Sequence, residues 1–188
     1  MKAGSFLLYL KIIEMEKYKL TETKKKDGNT IRYIWHPGVI PRSIPVQQVY
    51  GFCSTVDNLV VLVREKGDDR FTPPGGGSEK NETAIETLQR EFIEEAQFVP
   101  KGIKLLGSLE VINPGAKEEI QKHNLQVRFA CKIGKMEDFT PLRDNETEQR
   151  IFVYYKDLPH YIGFINKYTS GKIQYDMYCD YLEGKITL

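Results

Sequence analysis

Cysteine is scarce and poorly placed for chemistry: Cys53, Cys131 and Cys179 are odd in number, far apart and without a C-x-x-C pair. That excludes a secreted disulfide framework, a zinc ribbon and a dithiol redox motif, and makes a reducing, cytoplasmic setting the expectation. An excess of one charge is lacking too. Lys plus Arg number 27 and Asp plus Glu 26, a net charge of +1, so no overall field favours an anionic membrane or a stable nucleic acid partner. Long apolar runs are missing. The stretch Ser5–Ile13 is broken by Lys11, is too short to span a bilayer and precedes no small-residue cleavage site, so it reads as soluble structure. Met15, just beyond it, is an alternative start. Internal repeats and low-complexity tracts are absent. His36, His123 and His160 sit in unrelated contexts with no i,i+4 partner, which argues against zinc and reads them as ordinary surface residues.

What is present fits one compact domain. The 188 residues are 40% hydrophobic and 28% charged, and a chain of this size buries roughly 70% of its unfolded surface without cross-links. Residues 17–36 alternate in polarity around Asp27-Gly28, a dipeptide suited to a tight turn, and are expected to form a β-hairpin. Pro37, Gly38, Pro41 and Pro45 then divide the chain into an N-terminal extension, 1–45, and a main domain, 46–188. Strands are expected at 46–55, 59–63, 104–112, 125–133 and 151–155, and helices from 83, over 157–168 and over 173–182. Interleaved strands and helices favour an α/β or α+β sandwich. In the hairpin, alternation puts Ile31, Tyr33 and Trp35 on one face and Arg32 and Ile34 on the other. A lone hairpin is marginal in water, so this aromatic face is expected to be covered by the second subunit of a homodimer. A stacking platform for a nucleobase and the domain's own core are the alternatives.

Charge is segregated along the chain. Residues 1–45 hold nine Lys or Arg against four acids, whereas 79–95 hold six glutamates against Lys80 and Arg90. In that acidic segment Thr83 and Glu86 form a capping box, and Ile85, Leu88, Phe92 and Ala96 recur at helical spacing, with Leu88 and Phe92 expected in the core. At roughly 100° per residue, Glu91, Glu94 and Glu95 share an arc of about 100° on the adjoining face. A solvated helix face is the bland reading. Like charges one turn apart repel unless a cation lies between them, and a hard divalent ion with oxygen ligands fits that role. Upstream, Pro73-Pro74-Gly75-Gly76-Gly77 permits backbone geometry and ligand approach that side chains would block.

The string from Gly76 to Phe98, GGSEKNETAIETLQREFIEEAQF, resembles the signature of Nudix hydrolases, G-x5-E-x7-R-E-U-x-E-E-x-G-U with U a bulky aliphatic residue, here the aromatic Phe92 and Phe98. Gly76, Glu82, Arg90, Glu91, Glu94 and Glu95 match, and Phe92 and Phe98 stand at bulky positions. Fixed identities at fixed spacing make this far more specific than a lone glycine motif. Gln97 departs, standing where the family has a glycine to close the helix.

The resemblance implies a Nudix-like α/β/α sandwich with a mixed sheet, carrying the N-terminal hairpin as an extension. It implies hydrolysis of a nucleoside diphosphate linked to another moiety, with Mg²⁺ or Mn²⁺ as cofactor. Carried over to this sequence, Glu91 and Glu95 are the principal metal ligands and Glu94 the third, with Glu94 and Glu95 in the catalytic set. Arg90 orients the glutamates, and Glu82 is structural or a ligand through water. The general base is expected outside the signature, at Glu148 first and Glu146 second. Gly75, Gly76, Gly77, Arg64 and Pro114 are the expected substrate contacts, with Lys66 near the phosphates. Pro114 lies 16 residues beyond Phe98, a spacing similar to that of ADP-ribose pyrophosphatases. ADP-ribose or a related nucleotide sugar is therefore the expected substrate. A nucleoside triphosphate sanitising hydrolase is the alternative, and a non-catalytic nucleotide sensor is a reading of another class.

Overall fold

A computed structural model describes residues 14–26, 28–136, 138–140 and 147–188. Ser5–Ile13, Asp27 and Glu146 lie outside the described residues. One mixed sheet carries the molecule, in the order β1-β2-β6-β7-β3-β4-β8. The strands are β1 (Leu20–Lys26), β2 (Asn29–Pro37), β3 (Val46–Ser54), β4 (Leu59–Glu65), β6 (Phe98–Ile112), β7 (His123–Met136) and β8 (Thr147–Tyr154), with a short β5 (Gly75–Gly77) paired to β3. The β3–β7 pair is parallel and every other pair is antiparallel.

Helices cover both faces, which is the α/β/α sandwich expected. On one face lies α1 (Ala84–Glu91); α2 (Glu119–Lys122) is a single turn between β6 and β7. On the other lie two short helices, α3 (Leu158–Tyr161) and α4 (Gly163–Lys167), followed by α5 (Thr169–Leu182). Strand periodicity divides the core accordingly. In β4, Val61 and Val63 join Leu88 and Phe92 on the α1 side, while Val60 and Leu62 join Met177 and Tyr178 on the α5 side. Burial on both faces explains why β4 reads as the unbroken run Leu59-Val-Val-Leu-Val63. Phe92 is fully buried and meets Phe98 edge-on at 5.2 Å, and Phe52 stacks on Tyr178 at 4.9 Å.

The hairpin pairs in register, Leu20 opposite Trp35 and Lys26 opposite Asn29, and β2 joins the sheet along β6. Its aromatic face corrects the expectation of a second subunit as cover. Trp35 is 1% exposed and packs in a cluster with Met15, Tyr18, Leu109 and Tyr178 of the same chain, so this face gives no reason for a dimer. Glu22 of β1 seals the contact: its carboxylate accepts from the Thr169 and Ser170 amides, at 3.2 and 2.9 Å, at the start of α5. An anion at a helix N-terminus satisfies orphan amides and complements the dipole.

β3 and β4 separate after the pair Ser54–Val60, and the segment before α1 fills the wedge between them. Thr72 bridges to Val63, the Gly51 amide donates to Pro74 O at 3.1 Å, and Gly75–Gly77 pairs with Tyr50–Gln48. This wedge places the glycines beside the last turns of the acidic helix.

Candidate active site

Helix α1 starts as expected, with Thr83 and Glu86 in a reciprocal capping box. Its end differs from a plain α-helix. From Phe92 to Ala96 the chain widens into a π turn, closed by Gln97 N–H donating to Phe92 O, so Glu94 and Glu95 are rotated from their α-helical positions. Gln97 itself takes the left-handed conformation, φ 55° and ψ 45°, where glycine was expected. Its side-chain amide compensates by donating to Thr140 O at 2.7 Å and accepting from Thr140 N at 2.9 Å.

Arg90 organises the carboxylates. Its Nε donates to Glu82 Oε1 at 2.8 Å and its Nη2 to Glu82 Oε2 at 3.1 Å and to Gly77 O at 2.8 Å. Its Nη1 donates to Glu91 Oε1 at 2.8 Å and Glu94 Oε2 at 3.1 Å. Glu82 also accepts from Thr87 Oγ1 and the Glu79 amide, and these contacts, Arg90 first, hold its carboxyl down at about 2. Burial pushes the Glu91 carboxyl up, against the pull of Arg90. Glu95 Oε2 accepts from the Gly75 amide at 2.8 Å.

Gly75 is required here by space, since at φ +148° a Cβ on it would run into the backbone at Val49 O, whereas a Cβ on Gly76 would stand 2.5 Å from Glu91 Oε1 and displace that side chain. The site is thus a glycine-lined edge facing three glutamates, Glu91 and Glu94 held by Arg90 and Glu95 held by the edge itself. Among the described residues no three His, Cys, Asp or Glu side chains stand converged as a metal site. Arg90 engages Glu91 and Glu94, and Gly75 engages Glu95. The donors, carboxylate oxygens only, suit Mg²⁺ or Mn²⁺, and holding such an ion requires these side chains to turn from their present partners.

The NUDIX domain family model matches residues 47–170. The chain belongs to the Nudix family. An RNA pyrophosphohydrolase of Halorhodospira halophila is 31% identical over 97 residues, 52% of this chain and 52% of that protein, so the chain spans about half the length of the curated relative it matches. A pyrophosphohydrolase structure from Bacillus subtilis superposes with a TM-score of 0.64 at 21% identity, covering 85% of this chain and 97% of that one. A UDP-X diphosphatase gives 0.57 at 22% identity over 78% and 66%, and a NUDIX hydrolase from Nitrosomonas europaea 0.53 at 16% over 76% and 91%. At these identities the structures speak to the fold.

The other sequence-derived residues of this Nudix chain scatter. Glu148, half-exposed at the start of β8, pairs with Arg64 Nη2 at 3.1 Å, so the expected base and the expected phosphate contact meet each other. Arg150, two residues on, donates to Ala96 O at the end of the π turn. Lys66 is exposed on the loop after β4. Pro114 is exposed in the turn after β6.

Two clusters escaped sequence reading. His36 and His123 each place Nε2 2.7 Å from one carboxylate, Glu110, because β2, β6 and β7 bring them together in register. Burial raises the Glu110 carboxyl, but the two imidazoles outweigh it and hold it low. His160 stays exposed in α3. Second, on the α5 side of the sheet there is a pocket of about 280 Å³. Its floor is Tyr33, Leu109, Gln126, Arg128 and Tyr50, one or two from each of β2, β6, β7 and β3. Phe164, Tyr168, Ser170 and Gln174 form the roof, and Thr72 and Pro73 the side next to the glycines. Pro114 is not among its walls. The available signal was Arg128, a charge on the inner face of an apolar strand, Leu125-Gln-Val-Arg-Phe-Ala130.

Proposed function

We propose that this chain is a divalent-cation-dependent pyrophosphohydrolase that adds water across a phosphoric anhydride of a nucleotide, with the 5′-triphosphate end of RNA as its substrate. The observation that carries the reaction class is the set Glu91 and Glu94, held by Arg90, with Glu95, held by the Gly75 amide, all beside Gly75–Gly77. The choice of substrate is supported by the name of the curated relative, an RNA pyrophosphohydrolase. Such an end enters a local site, so a net charge of +1 is no obstacle. The ADP-ribose expectation rested on Pro114 with its loop and following strand, and on the N-terminal hairpin; Pro114 stands outside the pocket walls, and we place that substrate second.

Glu91, Glu94 and Glu95 would hold the ion, which supplies charge neutralisation of the phosphates and acidification of water when bound. The chain's own groups do the rest. Arg90, anchored by Glu82 and Gly77 O, fixes the glutamates. The glycine backbone lets the anhydride approach without a Cβ in the way. Glu148 would take the proton from the attacking water, giving up its contact with Arg64 to do so. A panel of 5′-triphosphorylated RNA, nucleoside triphosphates, dinucleotides and ADP-ribose, incubated with Mg²⁺ and resolved by mass, tests this. The expected products are RNA with a 5′-monophosphate and inorganic diphosphate or phosphate. Turnover of ADP-ribose alone would reverse the order of substrates, and no turnover of any would reject the function.

A further inference from the structure

The π turn from Phe92 to Ala96, which carries Glu94 and Glu95, is held from outside its own helix. A helix end leaves its last carbonyls without partners inside the helix, and here one of them, Ala96 O, is met from another strand. Arg150 of β8 donates to it through Nη1. The guanidinium lies against two rings, 5.2 Å from the centre of Phe139 and 5.7 Å from that of Phe152. Phe152 in turn packs on the core cluster that contains Phe92 and Ala96. The fork is thus set in direction before it reaches the turn, and its positive charge stands where a helix C-terminus favours one.

Two further ties flank this one. Gln97, left-handed directly after the turn, exchanges two bonds with the Thr140 backbone, and on the other side the Gly75 amide holds Glu95. Those two act on side chains, whereas Arg150 acts on the main chain of the turn itself. The distinction matters because a π turn is rare and has the ordinary helical pairing as its alternative, which would move the Gln97 N–H from Phe92 O to Ile93 O. That change would carry Glu94 and Glu95 round the helix axis relative to Glu91. The set of carboxylates facing the glycine edge therefore depends on the turn staying wound as it is.

We propose that Arg150 is a positioning residue for the carboxylate site: by capping Ala96 O from β8 it keeps the π turn wound and so sets where Glu94 and Glu95 stand against Glu91. Its bearing on a metal ion rests on the function proposed above. Arg150→Met keeps an apolar stem against the two rings but removes the donors and the charge, and Arg150→Gln is too short to reach the carbonyl. Titration of the full chain with Mn²⁺, without substrate and followed by electron paramagnetic resonance, reads the site apart from turnover. Each variant should bind Mn²⁺ at least about tenfold more weakly than the wild type, the loss expected when a group that orients metal ligands is removed. In the metal-free proteins the ¹³Cα shifts of Glu94 and Glu95 should move while that of Leu88, earlier in the helix, does not. Melting curves establish that the variants fold, and if Arg150→Met does not, Arg150→Gln decides. A folded variant that keeps the wild-type Mn²⁺ affinity and the wild-type Glu94 and Glu95 shifts overturns the assignment, leaving Arg150 a structural tie and the hydrolase reading intact. A wild type that binds no Mn²⁺ rejects the metal reading and this role together.

Discussion

Gln97 shows how one residue offsets a departure from the glycine expected at its position. Its left-handed backbone carries a cost of about 1 kcal/mol relative to glycine, and the paired bonds to Thr140 act against it. Gln97→Gly should therefore lie within about 1 kcal/mol of the wild type, whereas Gln97→Ala, which keeps the strain and loses both bonds, should be destabilised by about 1 to 2 kcal/mol. Urea denaturation of the three proteins gives the order. Glu22 gives a pH effect of known sign. Burial raises its carboxyl, but the Ser170 amide, Lys24 and the Thr169 amide outweigh this and hold it at about 2, against 4.5 for the ordinary group. A depressed acid stabilises the fold above its unfolded value and loses that contribution as pH falls. Between pH 4.5 and about 2 the wild type should lose stability more steeply than Glu22→Gln. Parallel slopes would remove Glu22 from the capping of α5.

At the scale of elements, α1 was legible because its cap, its apolar spacing and its glutamates all lie within one stretch of chain. Phe92 is the pin of that packing, meeting Phe98 and filling the space under Gly51, where a Cβ would fall 2.7 Å from its ring. Phe92→Ala should cost about 3 to 5 kcal/mol, read as a lowered denaturation midpoint at unchanged slope. The π turn was not legible, since helical periodicity assumes the spacing that the turn breaks. Strand β6 begins at Phe98 instead of 104, because bulges at Phe98/Pro100 and Lys101/Lys104 absorb residues that read as breakers. Glu110 with its two histidines, and the pocket of Tyr33, Arg128 and Gln174, needed the register of strands distant in sequence. No local pattern encodes that register.

Over the whole molecule, both ends of the described chain close the same core. β1 and β2 extend the sheet, Tyr18 donates to Asp180 at 2.6 Å, and Trp35 and Tyr178 share one apolar cluster. Removing residues 1–40 would strip that cluster and bare the β6 edge. The expected result is loss of cooperative unfolding and association through the exposed strand, seen by calorimetry and light scattering, in place of a folded monomer. None of the helices among the described residues is long and apolar enough to cross a membrane. The one sheet holds the carboxylates at its split edge and the pocket on its opposite face, joined by the wedge of Thr72 to Gly77. The measurement that bears most directly on that arrangement is turnover of 5′-triphosphorylated RNA by Glu95→Gln in Mg²⁺. Glutamine keeps an oxygen that accepts from the Gly75 amide but loses the charge. Turnover is expected to fall by at least about 100-fold, beyond the loss of an outer-shell partner, with the melting temperature unchanged. A folded Glu95→Gln protein with near wild-type turnover would contradict the assignment of this helix as the catalytic one.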